Sequence, residues 1–253
     1  AELLHSSVAA VPLRAPCPTL ATVHDLPWLQ PGLGEVSSWR RRLATRAALR
    51  AAARILVPSQ QTAAEVARCQ PAAAGKVEVV PHATCRVPAL PEPSLRTGPF
   101  LVLGDDRPRK NRARVAAAHQ LLRQRWPEAP DLQFVGPPGA YVDEAQKRVL
   151  LSRCTALVHA SRYEGFGLPV LEAMAHGAPV VCSDLPPHRE IAAEQALFVA
   201  ADATDALALA MQRVATDPDL RAALATGGFA RAAAFAPERL AARWHALHEA
   251  VRR

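Results

Sequence analysis

The residues best placed to do chemistry lie between Ser161 and Ala175, in the order Ser-Arg-Tyr-Glu-Gly-Phe-Gly-Leu-Pro-Val-Leu-Glu-Ala-Met-Ala. Two carboxylates, Glu164 and Glu172, and two glycines, Gly165 and Gly167, surround the expected start of a helix. Glycine has no Cβ, so its backbone amide can approach a ligand closely. Pro169 suits a first helical turn, where its missing N–H costs nothing. The apolar run Ala156–His159 reads as a buried strand feeding this loop. A strand, a glycine loop and a helix N-terminus present N–H groups and a positive dipole end, which favour phosphate. Glu164 falls in the loop, and Glu172 falls about one turn after Leu168, where it can face the same pocket. Carboxylates beside a phosphate site repel it unless they accept from hydroxyls, so a ligand carrying both phosphate and sugar fits the pair. Read alone, the same residues also suit a plain turn followed by a solvated helix.

Other groups are less specific. His24 follows the apolar run Thr19–Val23, and the pair Arg109-Lys110 lies in a loop after Phe100–Leu103. Asp105-Asp106 invites a metal reading, but two adjacent carboxylates without a third ligand are weak support for one. His245 and His248 have no acidic or cysteine cluster around them and read as structural.

These residues need a scaffold, and the pattern of the chain supplies one. Apolar runs at Thr19–Val23, Ile55–Val57, Val77–Val80, Phe100–Leu103, Leu132–Val135, Ala156–His159 and Pro179–Cys182 alternate with helical patterns. Such alternation predicts an α/β protein with parallel sheets covered by helices. Ligands in such sheets sit beyond the carboxyl ends of strands. His24, Lys110, Gly136 and Glu164 each come just after a strand and are expected to face one crevice. Between Pro81 and Pro99, Pro88, Pro91 and Pro93 with few apolar neighbours read as a stiff linker.

Composition narrows the class. At 253 residues and 50% hydrophobic, the chain can bury one large core or two modest ones. No run approaches the roughly 20 apolar residues that span a bilayer, and no signal peptide is visible. Cys17, Cys69, Cys85, Cys154 and Cys182 are scattered, without CxxC spacing, and read as reduced packing residues of a cytoplasmic protein. The net charge of +7 calls for a basic face or an anionic partner. Nucleic acid is disfavoured, because only 5% of residues are aromatic and no recognised module is present. Arg42, Arg46, Arg50 and Arg54 recur at every fourth position with Trp39 and Leu43, while Ala44, Ala48, Ala51 and Ala52 lie opposite and are expected to pack on the sheet. The stripe is either a solvated face or a contact for anionic lipid.

The segment Glu-Gly-Phe-Gly-Leu-Pro-x-Leu-Glu-Ala-Met-Ala, followed by Gly177-Ala-Pro-Val-Val-Cys-Ser183, closely resembles the donor site of family 4 retaining glycosyltransferases, which have the GT-B fold. Thr22-Val-His-Asp-Leu26, Arg54-Ile-Leu-Val-Pro-Ser59, Val77-Glu-Val-Val-Pro-His82 and Leu103-Gly104 through Pro108-Arg109-Lys110-Asn111 resemble further stretches of that family in the same order. The resemblance implies two Rossmann-like parallel-sheet domains facing a cleft. The expected division is an acceptor-side domain over residues 1–90, a donor-binding domain over 91–235 and a final helix over 236–253. Family members usually begin with additional strands and a glycine-rich loop, so the N-terminal domain is expected to be reduced. The stretch from Gly136 to Asp143 is also short for the family.

The activity implied is transfer of a hexose, with mannose a first guess, from a nucleotide-diphosphate sugar to a glycan or lipid-linked acceptor. By the same resemblance Lys110, with Arg109 second, contacts the diphosphate, Glu164 contacts the transferred sugar, and Glu172 binds the ribose hydroxyls. Amides at Phe166, Gly167 and Leu168, beside Gly165, hold sugar hydroxyls and phosphate, and His24 reaches the sugar and acceptor. No metal and no cofactor are expected beyond the sugar nucleotide itself. A cytoplasmic protein, peripheral at the inner face of the membrane through the arginine stripe, follows from a lipid-linked acceptor. A non-catalytic nucleotide-sugar-binding protein and a GT-B nucleotide-sugar epimerase are the alternatives.

Overall fold

The computed structural model describes residues 2–35, 37–84, 89–90, 96–139 and 141–252. The proline-rich linker around Pro88, Pro91 and Pro93, and Cys85 within it, lie outside the described residues. The chain divides into two compact units: Ala1–Ala83 with Glu164–Phe166 and Pro237–Arg253, and Thr84–Tyr163 with Gly167–Ala236.

In the first unit, β1 (Leu4–Ser6), β2 (Thr19–Thr22), β3 (Arg54–Val57) and β4 (Val77–Val79) pair side by side in that order, all parallel. All four residues of β2 are buried, as expected of a strand covered on both faces. Helices α1 (Trp39–Ala51) and α2 (Gln60–Cys69) connect the strands. Each begins on a serine whose hydroxyl accepts an N–H of the first turn: Ser38 from Arg41 and Ser59 from Thr62. Leu20, Leu49, Ile55 and Leu56 are almost wholly enclosed.

The buried face of α1 differs from the alanine face expected. Thr45, Ala48 and Leu49, with Ala52 just beyond the helix, are buried, whereas Ala44 and Ala51 are exposed. Burial of one leucine outweighs that of several alanine methyls, so Leu49 sets the rotation of the helix. Arg54 is not part of the helical stripe either. Ala52 turns to an extended conformation, ending α1, and Arg54 opens β3, donating to the Ala53 carbonyl.

The second unit contains β5 (Phe100–Leu103), α3 (Arg112–Arg125), β6 (Leu132–Val135), α4 (Glu144–Arg153), β7 (Ala156–His159), α5 (Leu168–Ala175), β8 (Val180–Ser183), α6 (Pro186–Ala192), β9 (Leu197–Val199), α7 (Thr204–Thr216) and α8 (Pro218–Ala232). The five strands are parallel in the order β6-β5-β7-β8-β9. This is a doubly wound sheet whose order reverses between β5 and β7, and such sheets bind ligands at the carboxyl ends of strands beside that reversal. Every strand run expected from the sequence coincides with a strand, with bounds shifted by one residue in places. The strand β9, three residues at the sheet edge, carried no comparable signal. Helix α4 opens on a capping box formed by Asp143 and Gln146. The first unit closes in sequence with α9 (Pro237–Arg252), where Trp244 and His248 pack on His5.

Candidate functional site

In the second unit, the chain leaves β7 buried and reaches α5 through Gly167, whose φ of 109° makes it a left-handed N-cap. A Cβ there would lie 2.9 Å from Cδ2 of His188, which is fully enclosed. Glycine is therefore required twice over, by backbone conformation and by packing. His188 is itself fixed by a hydrogen bond from Nδ1 to the Ser183 carbonyl at 2.8 Å, and its ring meets that of His159 edge to face. At the start of a helix the first amides have no intrahelical acceptor, and Pro169 in the first turn has no N–H at all. Leu168 is exposed and Pro169 half-buried, whereas the N-cap Gly167 is buried.

The loop after β5 is tied to the loop after β7. Asn111, at φ 55°, donates from Nδ2 to the carbonyls of Ala160 and Ala201, and the Arg162 amide donates to the Arg109 carbonyl at 2.8 Å. Lys110 is half-buried in this loop, with its Cε about a van der Waals contact away from where a Gly104 Cβ would stand. Arg109 is buried, at 5% exposure, so its side chain belongs to the interior of the loop. Asp105 accepts from the Arg107 side chain, and that hydrogen bond holds its carboxyl below the usual range. Gly104 and Gly136 both have positive φ, and a Cβ on Gly136 would strike the Gly104 carbonyl oxygen. Arg112 donates to the Gly104 and Pro137 carbonyls and lies over the Phe134 ring, joining the loops after β5 and β6.

Glu172 stands one turn into α5. One of its oxygens, Oε1, is 3.1 Å from Nζ of Lys147 on α4, and the same ammonium lies 3.0 Å from Glu144. Burial alone would lower the Lys147 pKa; hydrogen bonds to Glu144 and Glu172 outweigh it and the net shift is upward.

In the first unit, His24 follows β2 with both ring nitrogens engaged. Nε2 lies 2.9 Å from the Ser7 carbonyl and Nδ1 3.3 Å from Nε2 of His82. A carbonyl accepts only, so Nε2 of His24 carries the proton, and in the neutral pair Nδ1 accepts from His82. Burial first, then the neighbouring His24, lowers the His82 pKa to about 4. The His82 ring also meets Phe166 edge to face. Glu164 and Phe166 are buried, and the Gly165 carbonyl accepts from Ser59 and Thr62. A Cβ on Gly165 would collide with the His24 carbonyl oxygen, so here the glycine admits protein backbone.

Sequence reasoning missed Lys147, His82, His188 and Ser59. Only Ser59 carried a local signal, a serine before a helical pattern. The others are identified by partners distant in sequence. Of the sequence pair His245 and His248, His248 joins His5 at 3.3 Å on the first unit's surface.

Two family models match the chain: Glycosyltransferase Family 4 over residues 2–84 and Glycosyl transferases group 1 over residues 139–231. The two matches support a family 4 glycosyltransferase of GT-B fold. It is similar to the serotype-specific mannosyltransferase WbdA of Escherichia coli, with 32% identity over 138 residues, 45% of this chain and 17% of WbdA. The chain thus spans about a sixth of the length of that relative. Among solved structures it resembles sucrose-phosphate synthase of Thermosynechococcus elongatus, with a TM-score of 0.80, 23% identity, and 98% of this chain and 73% of that one covered. It also resembles Anabaena Alr3699/HepE, solved in complex with UDP and glucose, with a TM-score of 0.74, 18% identity and coverage of 92% and 72%. These likenesses establish a GT-B-like α/β fold.

Proposed function

We propose that this chain transfers a hexose, mannose first among the candidates, from a nucleoside-diphosphate sugar to a glycan or lipid-linked acceptor, with retention of anomeric configuration and without a metal ion. The observation that carries this reading is the second unit's own arrangement. A left-handed helix start at Gly167 and a cationic loop bearing Lys110 adjoin the reversal of a doubly wound sheet, and a carboxylate, Glu172, stands one turn beyond that helix start. Amides and a lysine suit the two phosphates, and a carboxylate suits the vicinal hydroxyls of a ribose. The likeness to a mannosyltransferase and to a protein solved with UDP and glucose supports the donor class.

The reaction breaks the bond between the anomeric carbon and the diphosphate oxygen and forms one to the acceptor hydroxyl on the same face. The acceptor proton passes to the departing phosphate, so no protein nucleophile is needed. Charge develops on the leaving diphosphate, and a fixed cation there lowers the barrier; Lys110 and the α5 N-terminus take that role in place of a metal. Arg109 supports the loop from within. Glu164 and His24 are assigned to the transferred sugar, and the amides of Phe166, Gly167 and Leu168 to sugar hydroxyls and phosphate. Activity that survives EDTA supports metal independence, and activity restored only by Mg²⁺ or Mn²⁺ overturns it.

A peripheral place at the cytoplasmic face of a membrane completes the reading. No described helix is long and apolar enough to cross a membrane. On α1, Trp39 and Leu43 are 66% and 53% exposed, among exposed Arg40, Arg41, Arg42, Arg46 and Arg50. An apolar pair within a basic face suits anionic headgroups. Equal sedimentation with anionic and neutral liposomes would sink this part.

The deciding experiment is calorimetric titration with uridine, guanosine, adenosine and thymidine diphosphates, followed by NMR of the matching sugar nucleotide with and without acceptor oligosaccharide. Selective binding that is weakened in Glu172→Ala, with product only when acceptor is present, supports a transferase. Binding without transfer indicates a non-catalytic binder, and conversion of the donor alone an epimerase.

A further inference from the structure

We infer that Lys147 is a positioning residue for the ribose-binding carboxylate Glu172, and so sets how strongly the site distinguishes a ribonucleotide from one lacking its ribose hydroxyls. The inference rests on Glu172 being the ribose acceptor of the proposed reaction. A glutamate side chain has three rotatable bonds, and its carboxylate two oxygens with about four lone-pair sites. Left unrestrained on a helix, it would have to be ordered by the ligand, at the expense of binding. Lys147 removes much of that freedom beforehand. Its side chain is only 20% exposed, is held by Glu144 on its own helix at 3.0 Å, and engages only Oε1 of Glu172, at 3.1 Å. Glu172 is 27% exposed, so its carboxylate is restrained and still partly open to solvent. The upward shift of the Lys147 pKa accords with a cation that stays charged across neutral pH.

Nothing local in the sequence marks this pairing, because the two residues lie on different helices, α4 and α5, which flank β7 in the chain. The motif supplies the carboxylate, and α4 supplies the group that aims it. Glu144, at 74% exposure, is a weak partner by comparison and serves to limit the swing of the ammonium.

The test compares guanosine and uridine diphosphates with their 2′,3′-dideoxy analogues, by calorimetry, on the wild-type chain and on Lys147→Met, Lys147→Arg, Glu172→Ala and the Met/Ala double variant. Circular dichroism and a thermal melt verify folding of each. In the wild type the ribonucleotide binds at least about tenfold more tightly than the dideoxy analogue, as expected when hydroxyls meet an ionised acceptor. Lys147→Met loses most of that ratio while dideoxy affinity stays within about twofold, Lys147→Arg recovers part of it, and the double variant shows no ratio below that of Glu172→Ala. A merely structural lysine would lower both affinities together, and that result overturns the inference. If Glu172→Ala abolishes the ratio and Lys147→Met leaves it intact, the positioning role fails while Glu172 keeps its own. If Glu172→Ala leaves the ratio unchanged, the ribose reading itself fails and the inference with it.

Discussion

Replacing Gly167 by alanine isolates what the loop before α5 demands of its backbone. Gly32, at φ 80°, has no atom within 4 Å of where its Cβ would stand, so it serves as an internal reference. At both positions alanine incurs a left-handed backbone penalty of about 1 to 2 kcal/mol. It recovers about 0.4 to 1 kcal/mol by stiffening the unfolded chain. Gly32→Ala should therefore cost about 0 to 1.5 kcal/mol. At Gly167 the new methyl would lie 2.9 Å from Cδ2 and 3.3 Å from Nε2 of His188, and 3.4 Å from Cδ1 of Ile191. Both neighbours are fully buried, and the Ser183 carbonyl holds the imidazole in place, so neither can yield cheaply. Overpacking of this kind adds about 1 to 3 kcal/mol, for a total of about 1 to 4.5 kcal/mol. Urea unfolding at constant m gives the two costs directly. A cycle with His188→Ala should then return the overpacking part as coupling, because the smaller side chain makes room for the methyl. Gly167→Ala no more costly than Gly32→Ala, or a cycle with no coupling, would refute the claim that His188 reserves this position for glycine.

Three other expectations concern particular groups. Lys110→Ala should lower kcat by about 10²-fold or more with a smaller change in KM, since its cation acts on charge that develops in the transition state; steady-state kinetics would expose the reverse split. His82 has a folded pKa of about 4 against 6.5 unfolded, so the unfolded chain binds more protons between those values. Stability present above pH 6.5 should fall as the pH drops towards 4, by about 1 to 2 kcal/mol after allowance for partial exposure, and His82→Asn should flatten that slope in denaturant titrations. Burial pushes the Cys154 thiol up to about 12 and raises that of Cys182 still further, so neither should react with iodoacetamide at about pH 8 until the chain unfolds. Mass spectrometry of the labelled peptides checks this.

The alternation of elements was legible in local composition alone, and the segment from Ser161 to Ala175 was singled out by its resemblance to a family motif. Short runs such as Phe100–Leu103 and Ala156–His159 are apolar because both faces of a parallel strand are covered, a demand that composition must meet wherever the partners lie. The helix start at Gly167 was legible for a similar reason, since glycine tolerates the left-handed turn and proline suits the first helical turn after it. Everything that depends on a partner had to await the folded chain. The rotation of α1 follows Leu49 and not the alanines, because the apolar side that packs is chosen by the space available. Glu164–Phe166, read as part of a donor loop, packs with the first unit, where the Gly165 carbonyl meets Ser59 and Thr62. Arg109 and Lys110 look alike in sequence, yet one is buried and the other half-exposed. Glu172 is aimed by Lys147, a residue 25 positions earlier, and His24 is committed to one tautomer by Ser7 and His82. Spacing along a chain can nominate a chemical group, but its direction, protonation and neighbours are set by contacts between segments that sequence alone does not bring together.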